Sequence, residues 1–178
     1  MEQQAKNKQF RAALIYGAIL GLVSVFVSVI FHVMGLTMET WTGIVSFVVT
    51  IGVLTYCLYA YRQEYMGGFA GYGQLVLMTV YIAIVSSVIV TIYNFIFFTY
   101  IDPEATQKMF NMVYERMLNN PRIPEDMIDE MMEQMEKRFT KNRIILQGFL
   151  GGIFTPLIVG LIASAFIKKE PEAGPENM

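Results

Sequence analysis

The 178-residue sequence predicts an all-α integral membrane protein, with four transmembrane helices and an amphipathic helical hairpin between the third and fourth. Three observations carry this expectation. Hydrophobic residues make up 54% of the chain and charged residues only 16%, whereas a water-soluble domain carries roughly a quarter charged residues. The stretches 12–38, 40–61, 65–101 and 144–167 contain no Asp, Glu, Lys or Arg, and each exceeds the roughly 20 apolar residues that cross a bilayer as a helix. The intervening block 102–143 holds nine acidic and seven basic residues. The chain therefore reads as a single membrane domain, 1–178. Its spans lie near 12–36, 41–61, 73–101 and 144–167, with an extramembrane helical segment at 102–143 and a disordered tail at 168–178.

Lys6, Lys8 and Arg11 ahead of an apolar run imitate a secretory signal, but the run is too long and lacks a small-residue cleavage site, so it reads as a retained first span. Only Thr37-Met38-Glu39-Thr40 separates it from the second span, which requires a tight antiparallel connection. Trp41 at the start of the second span, and Tyr56, Tyr59, Tyr61 and Tyr65 around its end, are placed for the two headgroup layers. The third charge-free run opens with Met66-Gly67-Gly68-Phe69-Ala70-Gly71-Tyr72-Gly73-Gln74, whose four glycines make a poor helix interior. Its helix is expected to start near Tyr72–Leu75. The glycine-rich piece before it reads as an interfacial turn or a short re-entrant segment.

Between the third and fourth spans, Asp102-Pro103-Glu104 predicts a helix start with Asp as N-cap and Pro at the first position. That helix runs to about Leu118 and is broken by Asn119-Asn120-Pro121. Pro124-Glu125-Asp126 starts a second helix, with acids in its first turn and Lys137, Arg138 and Lys141 in its last, as the helix dipole favours. Met127, Met131, Met135 and Phe139 repeat along one face and Met132 and Ile128 widen the stripe, giving an adaptable apolar surface. The second helix is expected to continue into the fourth span.

Several classes of function lose support at once. A net charge of −2 offers no basic face for nucleic acid, and one Cys with one His cannot assemble a zinc or haem site alone. No cofactor is expected. No nucleophile lies beside a base, no carboxylate pair lies within a span, and the glycine-rich stretch carries no phosphate-binding Lys. The chain is therefore expected not to be an enzyme. Of thirteen methionines, too few lie within the spans to form a Cu(I) path. His32 reads either as a pH-sensitive group or as an ordinary interfacial residue; Asn94 and Gln74 read as hydrogen-bonding glue between helices. Small residues give the clearest signal. Gly17 and Gly21 form one small-xxx-small pair, and Gly148, Gly152, Pro156, Gly160 and Ser164 recur every fourth residue along the last span. Such a stripe permits close helix approach, either within the bundle or against a membrane-protein partner or a second copy, and Pro156 predicts a kink.

The order Tyr61-Arg62-Gln63-Glu64-Tyr65-Met66-Gly67-Gly68-Phe69, then Tyr72-Gly73-Gln74, then Tyr93-Asn94-Phe95-Ile96-Phe97-Phe98-Thr99-Tyr100-Ile101-Asp102-Pro103-Glu104, resembles a family of small four-span proteins of Bacteroidota, domain of unknown function 4199. The resemblance covers nearly the whole chain. It implies a bacterial inner-membrane protein without an assigned activity, and a membrane glycosyltransferase as an encoded neighbour. With the Lys6 and Lys168 ends cytoplasmic, inside segments carry six basic residues and the outside seven. That near tie is decided for cytoplasmic ends by the first span, whose outer loop has no basic residue. The expected function is a non-catalytic scaffold or accessory subunit of a membrane complex. The alternative is a small transporter or lipid-flipping protein, which Pro- and Gly-interrupted spans would serve but the lack of charges within the spans disfavours.

Overall fold

A computed structural model describes residues 2–37, 39–120, 123–136 and 140–170. In chain order it contains α1 (Glu2–Val33), α2 (Thr40–Tyr65), α3 (Tyr72–Ile96), a π-helical turn (Phe97–Ile101), α4 (Ala105–Leu118), α5 (Glu125–Glu136) and α6 (Lys141–Ile167). Among the described residues there is no strand, only one isolated bridge between Ala70 and Lys169. Four segments are long and apolar enough to cross a membrane: Asn7–Val33, Trp41–Tyr65, Tyr72–Ile101 and Lys141–Ile167. Their outward faces carry large apolar side chains, among them Val33 and Phe166, which are 79% and 85% exposed. Lipid is the solvent that such a surface requires.

Chain contacts define two compact units, Met1–Val90 with Gly151–Met178, and Thr91–Leu150. In the first, α1 and α3 begin, and α2 and α6 finish, at one end, where the core is densest. Ala13, Tyr16 and Leu20 of α1 meet Leu54, Cys57, Leu58 and Tyr61 of α2, Leu75, Met78 and Ile82 of α3, and Val159 and Ala163 of α6. Small residues permit the close crossings. A methyl group on Gly17 would come within 2.5 Å of Val85 Cβ, and one on Gly21 within 3.0 Å of Ile89 Cβ, so α1 lies directly on α3.

Helix ends are set by local chemistry, and this moves several expected boundaries. α1 stops at Val33, short of Leu36, because Gly35 takes a left-handed conformation (φ 70°). Gly35 N–H then donates to His32 O at 3.0 Å and Leu36 N–H to Phe31 O at 2.8 Å, a Schellman closure. Phe31 meets Trp41 edge to face across the connection, with centroids 5.8 Å apart. α2 runs to Tyr65 rather than Tyr61, which puts Arg62 and Glu64 on a helical turn. The glycine-rich piece is a turn: Gly67 (φ 63°) and Gly68 (φ 89°) reverse the chain, and Gly68 N–H donates to Arg62 O at 2.9 Å.

In the second unit the π-helical turn closes with Asp102 N–H donating to Phe97 O at 2.9 Å, while the buried Phe97 ring packs on Tyr93 and Phe98. Asp102 is not the cap of α4. Glu104 occupies that position without a side-chain cap hydrogen bond, and the Asp102 carboxylate binds Lys108 Nζ at 3.0 Å through both oxygens. The reason is that Pro103 and Glu104 form a turn, with Ala105 N–H donating to Asp102 O at 3.1 Å, so the helix starts later than expected and Asp102 lies too far ahead of it to cap. α5 starts at Glu125, and Met127 N–H donates to Pro124 O at 3.1 Å. α5 does not run on unbroken into the last span. Thr140 is non-helical and its carbonyl accepts the Arg143 and Ile144 N–H groups at the start of α6. Lys137, Arg138 and Phe139 lie outside the described residues, as does the tail from residue 171.

Candidate functional site

At the dense end of the first unit, polar and aromatic groups tie the four helices together. Tyr16 of α1 donates its hydroxyl to Glu64 Oε2 of α2 at 2.9 Å. The Tyr65 ring stacks on Tyr61 at 5.8 Å and takes the edge of Tyr16 at 6.1 Å. Tyr61, expected at a headgroup layer, is instead 1% exposed, since those rings enclose it. The helical turn that carries Glu64 also aims Arg62 Nη1 at the Ile167 carbonyl, 2.5 Å away, with the guanidinium 5.0 Å from the Tyr59 ring centre. A helix terminus leaves carbonyls without partners, and a cation there also meets the negative end of the dipole. Ala70 and Lys169 exchange two backbone hydrogen bonds at 2.9 and 3.0 Å, and Lys169 Nζ lies 5.4 Å from the Phe69 ring centre. The glycine-rich turn is thus clasped to the end of α6, and Lys169, expected to lie within a disordered tail, is held in place.

The opposite half of the same unit is looser. A cleft of about 370 Å³ there is lined by Ser24 and Ser28 of α1, Gly43, Ser46 and Thr50 of α2, and Gly151, Gly152 and Thr155 of α6, with apolar neighbours between them. Ser24, Ser46 and Thr50 donate to the carbonyls four residues back, each at 2.8 Å. This is the ordinary way for a hydroxyl to sit on a helix in an apolar medium. The remaining hydroxyl lone pairs put uncharged polar points into a largely apolar lining. It offers hydrogen bonds to a solute and no titratable group for acid–base chemistry.

The small-residue stripe of the last span faces its own chain. Gly152 lies against Ser87 with 3.3 Å available for a Cβ, a side chain on Gly160 would overlap Thr79, and in the second unit Gly148 lies against Asn94. Pro156 and Ser164 are buried within α6, while Ile158 and Ile162 on the other side are 58% and 59% exposed. Asn94 thus sits at a helix crossing. Gln74 does not bridge helices: its Oε1 accepts the Gly71 N–H at 3.0 Å and caps the first turn of α3 locally. His32 occupies the last turn of α1. On α5, Ile128 and Met132 are buried, Met131 and Met135 are half-buried, and Met127 is 50% exposed. Among the described residues no group of three or more His, Cys, Asp or Glu is placed to hold a metal. Sequence reasoning missed the Tyr16–Glu64 and Arg62–Ile167 pairs. Their one signal was the charged pair Arg62 and Glu64 directly after an apolar span.

Four apolar helices of spanning length, joined by polar connections, define a multi-pass membrane protein. The profile of the family described as "Protein of unknown function (DUF4199)" matches residues 15–169, and the chain belongs to that family. No curated protein and no solved structure matches it.

Proposed function

We propose that this protein is a non-catalytic scaffold or accessory subunit of a bacterial inner-membrane complex, with the clasped end of its spans in the cytoplasm. The segment 102–143 then lies on the other side as an amphipathic hairpin. The observation that supports the reading is the surface of α5. Asp129, Glu130, Glu133 and Glu136 are exposed, while the apolar stripe is only partly covered, with Met127 at its uncovered edge. Flexible thioether side chains suit an adaptable contact with a partner, and a membrane glycosyltransferase is the partner class that the family resemblance implies. Purification from native membranes in mild detergent, followed by mass spectrometry, tests the proposal. A stoichiometric membrane protein should copurify with the wild type and fall by about tenfold with Met127→Glu and Met131→Glu combined, about 1.4 kcal/mol of contact. A homogeneous chain that carries no partner overturns it.

The hydroxyl-lined cleft favours one second reading, a small transporter or lipid-flipping protein, because uncharged polar linings between spans accommodate a polar group at membrane depth. Purified homo-oligomers with bound lipid and no other protein would support that reading over the first.

A further inference from the structure

We propose that the cleft between α1 and α2 at the clasped end is a binding site for the phosphate of an anionic lipid headgroup. The cleft has a volume of about 360 Å³ and is lined by Lys8, Arg11 and Ile15 of α1 and Glu64 and Tyr65 of α2, at the lower end of the roughly 300–1,000 Å³ range of ligand sites. Lys8 and Arg11 are three residues apart on one helix and so share a face. Ile15 continues that face one turn deeper, where a lipid's glycerol and acyl carbons would begin.

The charges in the cleft are available for a ligand. Among the described residues neither Lys8 nor Arg11 is ion-paired, in contrast to Lys108, which pairs with Asp102. Glu64, the one carboxylate of the lining, accepts the Tyr16 hydroxyl, and two cations against this one carboxylate leave the cleft a net positive charge. Two other cations of this end are committed elsewhere, Arg62 to the Ile167 carbonyl and the Tyr59 face, and Lys169 to the Phe69 ring. A guanidinium and an ammonium side by side, one forked donor and one point charge, are the donor set that a phosphate mono- or diester takes up. Tyr65, fixed between Tyr61 and Tyr16, forms the wall on the α2 side.

Depth decides between a lipid and a soluble ester as the source. The charge-free run of α1 begins at Ala12, directly after Arg11, and the apolar segment of α2 ends at Tyr65. The cleft therefore lies at the boundary of hydrocarbon and headgroups, where basic pockets between spans hold anionic lipids.

The test is native mass spectrometry of the full chain in mild detergent, titrated with phosphatidylglycerol or with zwitterionic phosphatidylethanolamine. Phosphatidylglycerol adducts should dominate. Lys8→Gln and Arg11→Gln combined should lower them by about 25-fold, given roughly a fivefold effect for each basic residue near an anionic surface. The charge-preserving Lys8→Arg with Arg11→Lys, and the distant Lys108→Gln, should leave them unchanged. Glycerol 3-phosphate titrated in place of lipid separates the sources: adducts with phosphatidylglycerol alone assign a lipid, and equal occupancy by glycerol 3-phosphate assigns a soluble phosphate ester. Equal adducts of both lipids on the wild type overturn the site. So does an anionic preference that survives the double Gln substitution in a protein whose thermal unfolding matches the wild type.

Discussion

Gly160 shows what one missing side chain does. Its Cα faces Thr79 so closely that any Cβ would overlap the threonine side chain, and Thr79 cannot yield easily because its hydroxyl donates to Leu75 O at 3.0 Å in a buried setting. Gly160→Leu should therefore cost about 1–3 kcal/mol through overpacking. Ile158→Leu and Ile162→Leu, on the exposed side of the same helix, should stay within about 0.5 kcal/mol. The molecule carries its own reporter for this measurement. Cys57 is the sole cysteine and is fully buried, so the temperature at which a thiol-reactive dye labels it marks loss of the core. Equal labelling temperatures for Gly160→Leu and the wild type would remove the crossing from the account.

At the scale of an element, the turn between α2 and α3 combines reversal and clasp in six residues. Gly67 and Gly68 both have positive φ, which a β-branched side chain avoids at a cost of about 1–2 kcal/mol. Two residues later Ala70 makes the paired hydrogen bonds with Lys169. Gly67→Val has open space for its side chain, so its penalty comes from the backbone alone. We expect Gly67→Val to lower the Cys57 labelling temperature. Gly73→Ala, in open space on the first turn of α3 and without a positive φ, should leave it unchanged or raise it. If both substitutions act alike, the conformation of the turn does not matter to the fold.

For the whole molecule the first quantity to measure is orientation. The clasped end gathers Lys8, Arg11, Arg62, Lys168 and Lys169 against Glu64 and Glu170. Basic residues beside span ends are retained in the cytoplasm. Fusion of a phosphatase that is active only outside the cytoplasm should give high activity at Asn120, between α4 and α5, and little after Glu170. The reverse pattern would invert the chain and place the phosphate cleft on the outer surface.

The sequence alone determined the number and approximate limits of the spans, because a charge buried in lipid is expensive enough to mark every boundary. It also determined that α4 and α5 are helices of another kind, since their charge and Met spacing suit an interface and not a membrane interior. The position of Gly160 in a stripe of small residues was legible too. What opposes that stripe was not, because fourfold spacing identifies a smooth helix face and carries no information about the face across from it; Thr79, Ser87 and Asn94 emerge only in three dimensions. Tyr61 and Tyr65 look alike in the sequence, and only packing makes Tyr61 core and leaves Tyr65 lining a cleft. The same holds for the cations. Arg62, Lys169, Lys8 and Arg11 all read as membrane-edge anchors, and the tertiary structure alone commits the first two to a carbonyl and to rings while leaving the last two facing open space. Those partners come from residues up to 105 positions apart, and side-chain partnership over that distance is set by how helices pack, which no local pattern encodes.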